Sequence, residues 1–163
     1  MTLVSDAARC AARVARLLAN QSLHVPNTRL GSRVMLPDGR TYVVFRESTN
    51  DAADASSPVV LVVWFRLRMI PPGARRRRWL FERLCIFNTV LFAGFDGYLV
   101  KLWMVSPSTS DYAGLYSWES AAKAEQYGRY ITALLRPLSR RDSVGYTILA
   151  DTTLDAYLQR SRA

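Results

Sequence analysis

Asn88 is a polar residue in strongly apolar surroundings. It interrupts the run LCIFNTVLF, and at helical spacing it shares a face with Phe81, Leu84, Cys85 and Phe92. A buried amide must be hydrogen-bonded, because leaving it unpaired costs on the order of 1–3 kcal/mol. Asn88 could therefore orient the carbonyl group of a ligand, or it could bond to nearby backbone.

Aromatic residues alternate in the segment YAGLYSW, where Tyr112, Tyr116 and Trp118 would share one face of a strand. Such rings could stack on a planar ligand. In RNA-recognition domains, aromatic residues on two strands stack on bases. The Lys/Arg-Gly-aromatic start of that motif is missing here, so nucleic-acid binding is kept as an alternative. Asn88, Tyr116 and Trp118 are the candidate catalytic residues.

Rings and cations also combine in two other segments, at Trp64, Arg66, Lys101 and Trp103. Strict alternation along two strands would place all four on one sheet face. Stacking and cation–π contacts there would suit an anionic aromatic ligand. Trp and Arg are also enriched in protein interfaces, so these residues are candidates for ligand binding or for a dimer interface.

Four consecutive arginines begin a predicted helix: Arg75, Arg76, Arg77 and Arg78. The start of a helix already carries a positive partial charge, so cations are unfavourable there. An anionic ligand, an acidic partner or Glu82 one turn later could compensate, and solvation of the side chains is the alternative. The run is therefore a candidate anion-binding site.

Several kinds of chemistry have no residues to support them. His24 is the only histidine, and Cys10 and Cys85 have neither metal-ligand nor disulfide-framework spacing, so no metal and no cofactor are expected. There is no Ser/His/Asp set, no paired carboxylate site and no phosphate-binding loop. A reducing, cytoplasmic location is expected from the two cysteines and from a start that does not resemble a signal peptide.

The net charge of +9 favours an anionic partner such as nucleic acid. The cations are almost all arginine, since the only lysines are Lys101 and Lys123. Such a preference for arginine can also reflect the base composition of the genome and not a binding site. Residues 2–21 predict a basic amphipathic helix, but its apolar face is mostly alanine. The longest uncharged stretch is too short to span a bilayer, so no membrane partner is expected.

The elements divide the chain into two parts. Residues 1–57 form an N-terminal extension packed on the core, with the helix, a hairpin of residues 33–36 and 41–45 around Pro-Asp-Gly-Arg, and a polar linker at 48–57. Residues 58–163 form the core. Its predicted elements are strand 58–69, helix 75–92, strands 98–105 and 112–118, helix 120–136, strand 143–149 and a short helix 152–160.

This order is βαββαβ, which is typical of an α+β ferredoxin-like fold. Leu61, Val63, Phe65 and Leu67 would face the helices together with alternate residues of the next strand, Tyr98, Val100, Leu102 and Met104. The opposite face would then be the mixed one that carries Trp64 and Lys101. A large apolar patch on such a face usually binds a partner, and a second copy of the chain is the simplest candidate.

The segments GYLVKLWM, YAGLYSWES and SVGYTIL, in this order of elements, resemble the dimeric α+β barrel superfamily, which includes antibiotic-biosynthesis monooxygenase-like proteins. The resemblance covers about residues 58–150. It implies a homodimer with facing sheets and a pocket between sheet and helices in each subunit. Some members oxidise aromatic substrates without metal or flavin, and others degrade haem.

Cofactor-independent members of that superfamily use an Asn, a Trp and a His or Arg in the pocket. In this chain the first strand of the core has no asparagine, and Asn88 on the first helix is the nearest substitute. Trp118 or Trp103 could take the place of the tryptophan. No histidine lies in the core. The resulting hypothesis is a homodimer that binds a small hydrophobic or aromatic molecule, with monooxygenase-like activity left open. A nucleic-acid-binding module and a non-catalytic interaction protein are the alternatives.

Overall fold

A computed structural model describes residue 12 and residues 23–50, 57–109 and 111–161, with the backbone alone for residues 86–93. The predicted helix at residues 2–21 and most of the predicted linker lie outside the described residues. The predicted packing of the whole N-terminal extension on the core therefore stays a prediction.

Seven strands and three α-helices make up the described chain. The strands are β1 (Leu23–His24), β2 (Arg33–Met35), β3 (Thr41–Asn50), β4 (Val59–Phe65), β5 (Tyr98–Val105), β6 (Tyr112–Trp118) and β7 (Gly145–Leu149). The helices are α1 (Arg75–Ala93), α2 (Ala121–Leu135) and α3 (Leu154–Arg160), and a 3-10 turn (Arg136–Leu138) follows α2.

The strands form one antiparallel sheet in the order β1-β3-β5-β6-β4-β7, and β2 pairs with the outer edge of β3. Within it, β4-α1-β5 and β6-α2-β7 are two split βαβ units, which place β6 and β4 between β5 and β7. This is the ferredoxin-like arrangement, so the predicted fold class is confirmed. The valine-rich β4 suits its central position because it is buried on both faces.

A β-bulge in β5 changes which residues face the helices. The register shifts between Tyr98 and Val100, and the extra residue inverts the alternation of every side chain that follows. Trp103 therefore packs with Leu61 and Val63 beneath the helices. The predicted face of β4 is correct for Leu61 and Val63, whereas the prediction for β5 is correct for Tyr98 alone. Val100, Leu102 and Met104 of β5 lie on the opposite face.

That opposite face is covered by the chain itself. Val34 of β2, Val44 of β3 and Leu154 of α3 pack on it. The Tyr157 hydroxyl donates to the Met35 carbonyl at 3.0 Å, so α3 is joined to β2 across the sheet. Four residues on this face are 0% exposed within a single chain, namely Val60, Val62, Leu102 and Leu115. This sheet face was expected to be exposed and to mix charged and apolar residues, but it carries a second hydrophobic core.

Other predicted boundaries shift by a few residues. β3 continues to Asn50, so Ser48, Thr49 and Asn50 pair with neighbouring strands and do not begin a linker. Thr153 caps α3 by accepting from the backbone N–H of Ala156, so this helix begins at Leu154 and not at residue 152. No helix among the described residues is long and apolar enough to cross a membrane.

Candidate functional site

The bulge in β5 places Lys101 in the space between the sheet and the helices. Only 2% of this residue is exposed. Its Nζ lies 3.1 Å from the ring centroid of Trp103 and 4.9 Å from that of Tyr116. The amine is thus enclosed by aromatic faces. We call this region the Lys101 chamber, defined by Lys101, Trp103, Tyr112 and Tyr116.

Strand register and one glycine build the walls of the chamber. Lys101 is opposite Tyr116 across β5 and β6, and Trp103 is opposite Gly114. A Cβ atom on Gly114 would lie 2.5 Å from the Tyr116 ring. The absence of a side chain at Gly114 therefore lets the Tyr116 ring lie over its own strand, diagonally beside Trp103, where both rings reach the amine.

Burial dominates the electrostatics of the chamber. Aromatic faces attract an ammonium group, but removal from water has the larger effect and lowers the pKa of Lys101 well below its ordinary value. Burial raises the pKa of the neighbouring Cys85 thiol to about 11. These directions favour an uncharged amine beside a protonated thiol. An uncharged amine can donate a hydrogen bond, accept one, or act as a nucleophile.

A cavity of about 20 Å³ adjoins the amine, which is room for about one water molecule. The Tyr112 hydroxyl is buried and has no hydrogen-bond partner among the described residues. The Tyr112 ring contacts Phe81 of α1 edge-on, with ring centroids 4.7 Å apart, and stacks on Phe65 at 5.8 Å. The chamber therefore combines apolar walls with two polar groups, which is the usual composition of a small-molecule site.

The sequence-predicted residues Tyr116 and Trp118 lie together at this site. The Tyr127 hydroxyl of α2 donates to the Tyr116 hydroxyl at 3.2 Å, and the Trp118 ring packs 4.8 Å from that of Tyr127. Both predicted residues are buried on the helix-covered face. Base stacking on an open sheet surface is thus not available to them. Asn88 belongs to α1, but its side chain lies outside the described part of the structure.

The four residues predicted on one mixed face are separated. Lys101 and Trp103 line the chamber, whereas Trp64 is half-buried against the opposite core. Arg66 lies beyond the end of β4 and holds Asp111 with two hydrogen bonds, one of them from Nη2 to Oδ2 at 2.7 Å. The physical reason is again the bulge, because it reverses the sheet face to which the side chains of β5 point, while those of β4 alternate without interruption.

Arg66 forms part of a charged cross-link. Arg40 from the β2–β3 turn also reaches Asp111, with Nη1 2.7 Å from Oδ2. Burial alone would raise the pKa of Asp111, but hydrogen bonds to neighbouring side chains, that of Arg66 first, and the charges of Arg66 and Arg40 together outweigh it and lower that pKa. This ion pair joins the end of β4, the hairpin turn and the β5–β6 loop, so its geometry is that of a structural link.

The arginine run lies mostly at the surface. Arg75, Arg76 and Arg77 are exposed, and Arg77 donates to the Met69 carbonyl at 3.2 Å. Arg78 pairs with Glu82, with Nε 2.7 Å from Oε1. The compensation by Glu82 that the sequence suggested is therefore present for this one arginine.

Sequence reasoning missed three parts of the chamber, namely the Cys85 thiol, the Tyr112 hydroxyl and the gap above Gly114. The rarity of lysine was an available signal for Lys101, since only one other lysine occurs in the chain. Among the described residues, no group of three or more His, Cys, Asp and Glu side chains could hold a metal ion.

Comparison with known proteins finds likeness in structure alone. No protein-family model matches the chain, and no curated protein matches it. A heme-degrading enzyme from Listeria monocytogenes is 13% identical, with 83% of this chain and 90% of that chain covered and a TM-score of 0.49. An uncharacterised ferredoxin-fold protein related to antibiotic biosynthesis monooxygenases, from the same species, is 12% identical, with 83% and 85% covered and a TM-score of 0.49.

A monooxygenase-like protein from Listeria innocua is 13% identical, with a TM-score of 0.48. The match covers 69% of this chain and 65% of the Listeria innocua protein, which is slightly less than two thirds of that protein. At these identities the likeness concerns the fold, and the site has to be judged from its own residues.

Proposed function

We propose that this chain binds a small, planar, apolar molecule with one polar group in the Lys101 chamber. The observation that carries the proposal is the enclosure of the Lys101 amine by aromatic rings. Trp103, Tyr112 and Tyr116 would form the walls. The amine and the Tyr112 hydroxyl would bind the polar group of the ligand.

Burial of an amine supports a functional role because it is expensive. A polar group moved out of water costs several kcal/mol unless it is well compensated, and a methionine of similar length would fill the same space without that cost. Ionisable groups with strongly shifted pKa values cluster at functional sites for this reason. The position of Lys101 on a central strand, at a cavity, fits that pattern.

Ligand entry requires α1 to move, since the closed cavity holds only about one water molecule. The described part of α1 buries Cys85 fully and Phe81 partly, while Trp79, Leu80 and Leu84 point outward. This part of the helix therefore has a narrow contact with the sheet. A narrow contact makes displacement of a helix less costly, and such rearrangements on binding are common at ligand sites.

Within this proposal, Tyr116 would position the ligand and Trp118 would stack behind it, with Asn88 as a further polar contact. Cofactor-independent, monooxygenase-like chemistry stays a prediction from the sequence resemblance, as does a homodimer. No observation favours nucleic-acid binding by the sheet, because the rings of Tyr112, Tyr116 and Trp118 are buried beneath the helices.

The chain supplies a matched pair of lysines for the test. Lys123 is the other lysine, and its amine is on the surface between Glu119 and Asp96 at 2.8 Å and 3.2 Å. We expect the fluorescent probe 1-anilinonaphthalene-8-sulfonate and a panel of naphthols and quinones to include ligands of the wild type. For these, Lys101→Met should weaken binding by at least about tenfold, which corresponds to one lost polar contact of roughly 1.4 kcal/mol.

Lys123→Met should leave binding unchanged in the same titrations. Thermal unfolding with and without each probe gives a second measure, because a ligand that binds the folded state raises its stability, and raises it more the tighter it binds. Equal probe binding by the wild type and Lys101→Met, or the absence of binding throughout the panel, would contradict the proposal.

A further inference from the structure

The outward face of α1 carries both arginines and large apolar side chains. Successive residues of a helix are rotated by about 100°, so the exposed residues of its first eleven positions fall within one arc of about 200°. This arc, the outer face of α1, comprises Arg75, Trp79, Arg83, Arg76, Leu80, Leu84 and Arg77 in order around the helix. Cys85 and the half-buried Phe81 lie on the side facing the sheet.

The apolar members of the outer face are unusually exposed for their size. The exposed fraction is 56% for Trp79, 52% for Leu80 and 49% for Leu84. Met69 extends the patch, because it is 70% exposed and its carbonyl accepts from Arg77. Large exposed apolar side chains grouped on one helix face are typical of an interaction site.

The charges of the outer face are all positive. Four of its seven residues are arginines and none is acidic. The Arg83 guanidinium lies over the Trp79 ring, 4.6 Å from its centroid. Glu82 is outside the arc and is already paired with Arg78. The partner of this face must therefore be anionic and must also accept aliphatic side chains.

These two requirements separate the candidate partners. A second copy of the chain would bring arginines against arginines, which is destabilising. Nucleic acid would satisfy the arginines and could stack on Trp79, but it offers no apolar medium for Leu80, Leu84 and Met69. An anionic bilayer surface offers phosphates to the arginines, the interfacial zone to Trp79 and the acyl boundary to the aliphatic side chains.

We propose that α1 docks on an anionic phospholipid surface through its outer face. The sequence-based expectation of no membrane partner depended on residues 2–21 and on the lack of a spanning segment. The outer face of α1 is a different surface, and its binding would be peripheral. This docking is independent of the ligand proposed for the Lys101 chamber.

The test is co-sedimentation of the full chain with vesicles of phosphatidylcholine, with and without phosphatidylglycerol, at low and high salt. The wild type should bind the anionic vesicles and lose binding as salt rises. Arg75→Gln combined with Arg76→Gln should weaken binding by about 30-fold, at roughly 1 kcal/mol for each arginine. Trp79→Ser should also weaken it, because the interfacial ring is lost.

Matched controls come from α2. Arg129, whose side chain is 75% exposed, and Leu134, which is 47% exposed, lie outside the outer face of α1. Arg129→Gln and Leu134→Ser should leave vesicle binding unchanged. Equal binding to neutral vesicles, or unaltered binding of the double arginine variant, would overturn the proposal. It would also be overturned if the same variants lost single-stranded DNA binding while vesicle binding persisted.

Discussion

At the scale of a single residue, the burial of Lys101 predicts how the stability of the protein depends on pH. Its folded-state pKa is lowered by burial, whereas the unfolded chain keeps the ordinary value of 10.5. Between these two values the unfolded chain binds more protons than the folded protein. The free energy of unfolding should therefore rise with pH across that interval, by up to about 1.4 kcal/mol per pH unit.

Lys101→Met should remove this dependence and stabilise the protein by about 1–3 kcal/mol near neutral pH, since a buried polar group is replaced by an apolar one. Urea unfolding from about pH 7 to about pH 8.5 measures both effects. Higher pH is avoided because the Cys85 thiol, with an ordinary pKa of 9.0, would begin to contribute with the opposite sign. A wild-type stability that falls with pH in this range would contradict the prediction.

The two arginines on Asp111 should differ in their contribution. Arg66 makes two hydrogen bonds to the buried carboxylate and Arg40 makes one. Arg66→Met should therefore destabilise the protein by about 2 kcal/mol, and Arg40→Met by about 1 kcal/mol, since both side chains are partly solvated.

Acid unfolding supplies the accompanying measurement. The pKa of Asp111 is lowered on folding, so the stabilisation is present above its ordinary value of 3.8 and is lost as pH falls through the folded value. In Arg66→Met the carboxylate should protonate at higher pH, and acid unfolding should begin earlier. Equal effects of the two arginine substitutions would show that the bidentate contact has no special weight.

At the scale of elements, α3 should act as a tie across the second sheet face. Leu154 is 5% exposed in the core on that face, and the Tyr157 hydroxyl bonds to the Met35 carbonyl of β2. Leu154→Ala should destabilise the protein by about 2–3 kcal/mol, through lost burial and a residual cavity. Tyr157→Phe should lose about 1 kcal/mol, and Leu158→Ala on the same helix provides a comparison for simple loss of apolar contact. Chemical denaturation of the three variants measures these differences.

The elements that could be predicted from sequence have local causes. The valines of β4, the turn with Gly39 at a φ of +74° and the Ser120 cap of α2 each follow from residues near in sequence. The polar end of β3 could not be predicted, because Ser48 is a strand residue only through its pairing with Lys101. That partner is distant in the chain, and its register depends on the bulge.

The candidate site depended on the same bulge. Tyr116 and Trp118 were found because simple alternation holds on β6. Lys101 and Trp103 were assigned to the wrong face because one extra residue between Tyr98 and Val100 reverses the direction in which the later side chains of β5 point. No residue type at this position indicates a bulge. The helix α1 was predicted from its sequence, but its exposed outer face was not, since apolar residues of the segment recur on every side of the helix.

At the scale of the whole molecule, closure of the second sheet face bears on assembly. The resemblance implies a dimer with facing sheets, yet Val62 at the centre of that face is 0% exposed within one chain. α3 and the β2–β3 hairpin occupy the space that a partner sheet would need. A dimer built through this face would have to displace α3, at the loss of the Leu154 packing and of the Tyr157 hydrogen bond.

Thiol labelling can test this closure directly. In a background with Cys10→Ser, the buried Cys85 serves as an internal reference for an inaccessible thiol. Val62→Cys should then resist maleimide and should form no disulfide with a second copy. Adding Leu154→Asp, which places a charge under α3, should make position 62 reactive and should promote association, because an apolar sheet face becomes exposed. Rapid labelling or cross-linking of Val62→Cys without the α3 substitution would show that the face is open, and the facing-sheet dimer would then be favoured.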